Sequence, residues 1–295
     1  MELPPELIDE ITFYAEASSR ILPGDEIKPR REKTDPEGRA SLACLRLANK
    51  VFCRCATPLL FRHIDATVGK ISRLRDVSTS PYAGYVRHVD LGTGRSASSD
   101  RAENARCAED LAELLAPCLG RLPKLSSLDF VGGTSSYVGG ELSPEINKSL
   151  INSLKTSLVD VDLPQPRELD LGFPTAGVFT QLLAGEAPSS GHRIWPLVGR
   201  LRHLGLHIQE APTRRPFQRI LYLRSFRDIL GAAQALQSLA ISSTETVTLA
   251  NFHIPTAWRL RSLALGHMES PSEKLEEVIG TSRDSLESIQ LRDVD

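Results

Sequence analysis

Aromatic residues are scarce in this 295-residue chain, at 5% with two tryptophans, so any core must be built mainly from aliphatic side chains. No apolar run approaches the roughly 18 residues of a membrane span, and the opening MELPPELIDEI is acidic where a secretory signal would be basic. The expected setting is therefore cytoplasmic or nuclear, with no membrane partner. Excess charge of one sign is also missing. Lys and Arg number 35 against 37 Asp and Glu, a net charge of -2, which leaves no global field to attract nucleic acid. The five cysteines, Cys44, Cys53, Cys55, Cys107 and Cys118, are odd in number and contain no CxxC spacing, which favours neither a disulfide framework nor a zinc site. There is no GxxxxGK, HExxH or GxSxG, and Gly92-Thr93-Gly94 lacks the third glycine and the helix that a phosphate cradle needs. Neither catalysis nor a cofactor or metal is expected; an α/β hydrolase-like enzyme would need a nucleophile at a strand end beside a base.

What is present begins with short helices. Residues 3–19 read as a helix, because Pro5 suits a first turn and Leu7, Ile8, Ile11 and Ala15 share one face. The stretch 23–38, with nine charged residues, three prolines and two glycines, reads as a solvated loop. From Ala40 to Cys53, Leu42, Leu45, Leu47, Val51 and Phe52 make a second helix, and Thr57-Pro58 supplies a cap and first turn for a third, Pro58 to His63. A connecting helix follows near 68–79.

Beyond residue 80 the period changes. Seven segments repeat an apolar-x-x-apolar-x-apolar pattern: Val86–Leu91, Leu125–Phe130, Leu158–Leu163, Leu201–Leu206, Leu236–Ile241, Leu260–Leu265 and Leu286–Leu291. An eighth piece, RELDL at 167–171, follows Leu163 so closely that it reads as a hairpin partner. Helical stretches lie between, with starts at Ser143-Pro144 and at Ser270-Pro271-Ser272-Glu273, the latter with capping-box spacing. Strand and helix in alternation around an L-x-x-L-x-L core is the pattern of leucine-rich repeats. First anchors stand 24 to 43 residues apart, so loops are expected at 134–143 and 183–193; an α/β domain with a mixed sheet is the competing architecture.

Three stretches resemble an F-box of the fungal type: Leu3-Pro4-Pro5-Glu6-Leu7-Ile8 with Ile11, then Leu42-x-x-Leu45-Arg46-Leu47-Ala48-Asn49-Lys50-Val51-Phe52, then Ala56-Thr57-Pro58-Leu59-Leu60-Phe61-Arg62. The resemblance covers about a fifth of the chain. It implies a small helical unit that docks on the Skp-type adaptor of a cullin-RING ubiquitin ligase, with contacts on Leu3, Pro4, Leu7, Ile8, Ile11, Leu42, Leu45 and Val51. The insertion at 23–38 departs from the compact family pattern. A capping bundle that binds nothing is the plainer explanation of the same helices.

The expected fold class is thus α+β overall: an all-helical F-box at 1–64, a connecting segment at 65–81, and an α/β leucine-rich-repeat-like solenoid at 82–295. The implied function is substrate recognition for a Skp-cullin-F-box ligase; the alternative is a repeat scaffold outside any ligase. Strand alternation sends the leucines inward and the residues between them outward. That outward row contains Asp90, Asp129 and Asp162, with Asp170 in the extra strand, followed by Gly205, Ala240, Ala264 and Gln290. Carboxylates about 4.8 Å apart repel by about 0.9 kcal/mol per pair in water, so a Lys- or Arg-rich target is a candidate ligand for the row. His203 and His207 share one strand face and join this candidate substrate surface. With a carboxylate they would have the donors of a metal site, though on a repeat strand they read as exposed.

Overall fold

Pro5 opens the first helix, α1 (Pro5–Ala17), where its missing N–H costs nothing. The next two differ from expectation. Helix α2 (Pro36–Ala48) begins at Pro36, inside the stretch read as loop, and ends at Asn49, whose side chain accepts from Val51 and Phe52 N–H at 2.9 Å and caps α3 (Lys50–Leu60). One expected helix over 40–53 is therefore two. Thr57 and Pro58, expected to start a third helix, lie inside α3, where the Thr57 hydroxyl donates back to Cys53 C=O.

The computed structural model describes residues 4–17, 36–66, 70–92, 101–131, 144–159, 166–173, 182, 194–208, 216–248 and 255–294. The loops expected at 134–143 and 183–193, and most of the one at 23–38, lie outside them.

After the helices the chain alternates: β1 (His63–Ala66), α4 (Ser72–Ser78), β2 (His88–Gly92), α5 (Arg101–Leu119), β3 (Ser127–Val131), α6 (Pro144–Val159), β4 (Glu168–Phe173), α7 (Ile194–Arg200), β5 (His203–Ile208), α8 (Pro216–Ala232), β6 (Ser238–Thr248), β7 (Ser262–Glu269), α9 (Ser272–Thr281) and β8 (Ser288–Val294). The eight strands form one sheet, ordered β1 to β8, and every neighbouring pair is parallel. The class is α/β. A strand lying parallel beside its immediate predecessor requires each connection to return on the same circuit, so the chain winds as a solenoid-like coil.

Two strands correct the reading of the repeats. Leu158 is the penultimate residue of α6, while Val161, Asp162 and Leu163 lie outside the described residues. The repeat strand is RELDL itself, β4, parallel to both β3 and β5 and no hairpin partner. At the other end, β1 is a strand where a helix through His63 was expected. The connecting helix expected near 68–79 is shorter, α4 at Ser72–Ser78, and residues 68 and 69 lie outside the described residues. The S-x-x-E box at 270–273 is not formed: Pro271 occupies the cap and no side chain closes it.

The leucines form the ladder that their spacing predicts. Ile64, Val89, Leu128, Leu169, Leu204, Leu239 and Leu263 are in register, and so are Ala66, Leu91, Phe130, Leu171, Leu206, Ile241 and Leu265; all are buried. Helices cover them with apolar faces such as Leu111, Leu115 and Leu119 of α5 and Leu150, Ile151 and Leu154 of α6. Trp258 is buried here too, its indole N–H donating to Ala233 C=O at 3.0 Å. The ladder ends at β8, where Ile289 and Leu291 are 42% and 47% exposed.

Burial decides what each rung contributes. Leu128→Ala should lower stability by about 3 kcal/mol, whereas Leu291→Ala on the last strand should cost well under 1 kcal/mol. Chemical denaturation of the two variants checks this; equal losses would mean that β8 is covered in solution.

Candidate functional site

Two regions gather the candidate residues. The first is the N-terminal helical unit. Ile8 and Thr12 of α1 turn inward, with the Thr12 hydroxyl donating to Ile8 C=O at 2.6 Å, and Leu42 of α2 is fully buried. Of the residues expected to contact an adaptor, Ile8 and Leu42 are thus buried within the unit, which packs around them. Leu45 is half-buried, Pro4, Leu7, Ile11 and Val51 are exposed, and Leu3 lies outside the described residues.

The exposed set is larger than expected. Phe13 and Tyr14 stand 51% and 61% exposed as an edge-to-face pair, and Leu47 reaches 86%. Tyr14 follows Leu7 and Ile11 at i+7 and i+3 spacing, so helical periodicity alone would have found it. Leu47 was also within reach of periodicity, since five residues carry it about 140° round α2 from the buried Leu42.

This unit is tied to the sheet by stacked rings. Phe61 and Tyr82 lie 4.2 Å apart and nearly parallel, and the Arg46 guanidinium covers both, 5.3 and 4.9 Å from their centroids, while donating to the Tyr82 hydroxyl at 2.5 Å. A second tie is electrostatic. Arg39 of α2, held below the usual arginine range by burial and then by Arg73, is drawn the other way by Asp65 of β1.

The second region is the sheet face opposite the leucines. Register places Asp65, Asp90, Asp129 and Asp170 side by side on β1 to β4, continuing as Gly205, Ala240, Ala264 and Gln290. The row expected from the sequence exists, with Asp65 added and Asp162 not among its described members. Its environment is the correction. Asp90, Asp129, Asp170 and His203 are all buried rather than presented to solvent.

Each charge that must be held there needs a partner. Lys70 pairs with Asp65 at 2.5 Å, and His63 Nε2 lies 3.0 Å from Asp90 Oδ2. Asp170 is held by β5: its Oδ1 is 3.1 Å from His203 Nε2 and 3.7 Å from His207 Nε2. Gly205, between the two histidines, makes room for the carboxylate, since a Cβ there would lie 1.4 Å from Oδ1. The outer ring nitrogens continue to β6, with His203 Nδ1 at 2.9 Å from Ser238 Oγ and His207 Nδ1 at 2.6 Å from Ser242 Oγ. The structure therefore brings Asp170, His203 and His207 together; only their exposure was misjudged.

An Asp-His-Ser chain of this kind can pass a proton, yet acyl transfer also needs donors for an oxyanion. The Ser238 N–H is already bonded to Arg202 C=O at 2.8 Å, as the ladder requires of each strand amide. Nor does any group of three His, Cys, Asp or Glu among the described residues have the arrangement to hold a metal ion. What the cluster does is hold one oxygen of a buried carboxylate against two imidazole rings. Among the described residues no helix is long and apolar enough to cross a membrane.

The chain matches no family model and no curated protein. Among solved structures it is similar to a protein from Bacteroides fragilis, at 14% identity over 75% of this chain and 70% of that one, with a TM-score of 0.31, too low to bear on fold or function.

The fit of Asp170 over Gly205 is open to a double-mutant cycle. Gly205→Ala should cost about 3 kcal/mol by expelling the carboxylate from its partners, as does removing one member of a buried pair. In an Asp170→Ala background the added methyl meets no carboxylate, so its cost should fall by at least half, read from denaturation midpoints.

Proposed function

We propose that the chain is a substrate-recognition subunit of a Skp-cullin-F-box ubiquitin ligase, in which α1 to α3 dock on the Skp-type adaptor and the leucine-rich-repeat-like coil presents a protein target. The observation that carries this reading is where the exposed apolar surface lies. Of the nine large hydrophobic residues exposed among those described, six fall between Leu7 and Val51. A soluble chain leaves such a concentration uncovered only where something else covers it.

The resemblance of the three N-terminal stretches to an F-box names that partner. It is supported by a helical unit that keeps Ile8, Leu42 and Phe52 for itself while exposing Leu7, Ile11, Tyr14, Leu47 and Val51. The Arg46-Phe61-Tyr82 stack gives the arrangement a mechanical use. A rigid joint between docking unit and coil fixes the distance from a held target to the ubiquitin-loaded enzyme, so that ligation is promoted by proximity.

Co-purification with the adaptor and a cullin tests the reading. The unmutated chain should recover both, and Leu7→Asp with Ile11→Asp should reduce recovery at least tenfold with little change in melting temperature, since both positions are exposed. If the unmutated chain recovers no adaptor, the ligase reading fails and a repeat scaffold outside any ligase takes its place.

A further inference from the structure

The leading edge of the sheet carries a second row, one residue ahead of the level of His63 and His88. The backbone is already in register there. Arg62 C=O accepts from Arg87 and His88 N–H at 2.8 and 3.0 Å, and Arg87 C=O accepts from Ser126 and Ser127 at 2.8 and 2.9 Å. The same link runs from Ser126 to Arg167 at 2.8 Å, from Arg167 to Arg202 at 2.7 Å and from Arg202 to Gln237 at 2.8 Å. It closes through Gln237 to Arg261 at 2.6 Å and Arg261 to Glu287 at 2.8 Å. Along the sheet the rungs thus read Arg, Arg, Ser, Arg, Arg, Gln, Arg, Glu.

Unlike the aspartates, most of these charges face water. Arg87, Arg167, Arg202 and Arg261 are exposed and Arg62 is half-buried. Glu287 pairs with Arg261 at 2.6 Å, and among the described residues no carboxylate lies within ion-pair distance of the other four. Arginines on adjacent strands, whose backbones lie about 4.8 Å apart, repel one another, and an anion set between their guanidinium groups relieves the repulsion by accepting from both. The arginines also come in pairs, Arg62 with Arg87 and Arg167 with Arg202, separated by the neutral Ser126. One pair follows the other after three rungs, about 14 Å. An extended peptide covers that distance in about four residues.

We propose that this leading-edge row binds an extended acidic polypeptide segment, with carboxylates about four residues apart each held between two adjacent arginines. Nucleic acid suits the row less well. The chain's net charge is -2, and the adjacent level of the sheet, from His63 to Ser288, offers no Phe, Tyr or Trp on which bases could stack. The inference does not depend on the adaptor reading, since no residue of α1 to α3 takes part.

Fluorescence anisotropy with the full chain tests it, using a labelled 13-residue peptide, glutamate at every fourth position in a Gly-Ser background, and a twin with glutamine in place of glutamate. At about 50 mM salt the glutamate peptide should bind roughly tenfold more tightly than its twin, and the difference should shrink as salt rises. Arg167→Glu with Arg202→Glu should abolish the preference, while Arg292→Glu, at the other end of a strand, should leave it unchanged; Arg167→Gln with Arg202→Gln serves if the charge reversal fails to fold. Failure of the glutamate peptide to bind, equal binding of the two peptides, a preference that survives loss of the arginine pair, or tighter binding of a single-stranded oligonucleotide of equal charge would overturn the proposal.

Discussion

Parallel register is the constraint on which the rest of this structure depends. When each strand lies beside its predecessor with the same residue of every repeat at the same level, a preference at one sequence position becomes a continuous row in space, spaced at about 4.8 Å. The leucine rows gain from this, because apolar rungs stacked on one another exclude water together. Charged rows incur repulsion, and must be neutralised within the fold or left exposed to solvent. The protein does both, with aspartates on one level and arginines on another.

The two charged rows are treated differently because their levels differ in access. Asp90, Asp129 and Asp170 sit mid-strand on the face away from the leucines and are buried, and Asp90 and Asp170 take histidine partners from neighbouring strands. Asp170 shows how closely the arrangement is specified. Its carboxylate occupies the volume that a side chain at 205 would fill, between two histidines two residues to either side, and those histidines lean on serines of the next strand. Glycine at 205 is thus required by a neighbour's side chain, and the backbone there needs no unusual angle.

Much of the coil was legible because its period is carried by large aliphatic residues. Six of the seven expected segments are strands, since Leu at anchors such as Leu125, Leu201 and Leu260 has no other means of burial. The strand that was missed, β1, and the one taken for a hairpin partner, β4, have weak anchors. Pro166 stands where β4 would show a leucine, and Ala66 ends β1 where a leucine was sought, although Phe61-x-x-Ile64-Asp65-Ala66 has the spacing and the aspartate of its successors. The false segment at 158–163 drew on Leu158, whose apolar character serves a helix face equally well. Burial of the aspartate row was not legible, because alternation along one strand gives direction without saying what the neighbouring strands contribute.

The helical unit poses the converse problem. Its sequence marks apolar residues without saying which of them the unit needs for itself; Ile8 and Leu42 are as apolar as Leu7 and Leu47, yet the first two are core and the others surface. Position on the helix makes the difference. At about 100° per residue, Leu47 lies about 140° round α2 from Leu42, so one meets the core while the other stands on the surface. Asn49 then ends α2 and, by accepting from the Val51 and Phe52 N–H groups at 2.9 Å, starts α3. In its first turn Val51 and Phe52, about 100° apart, divide in the same way between surface and core.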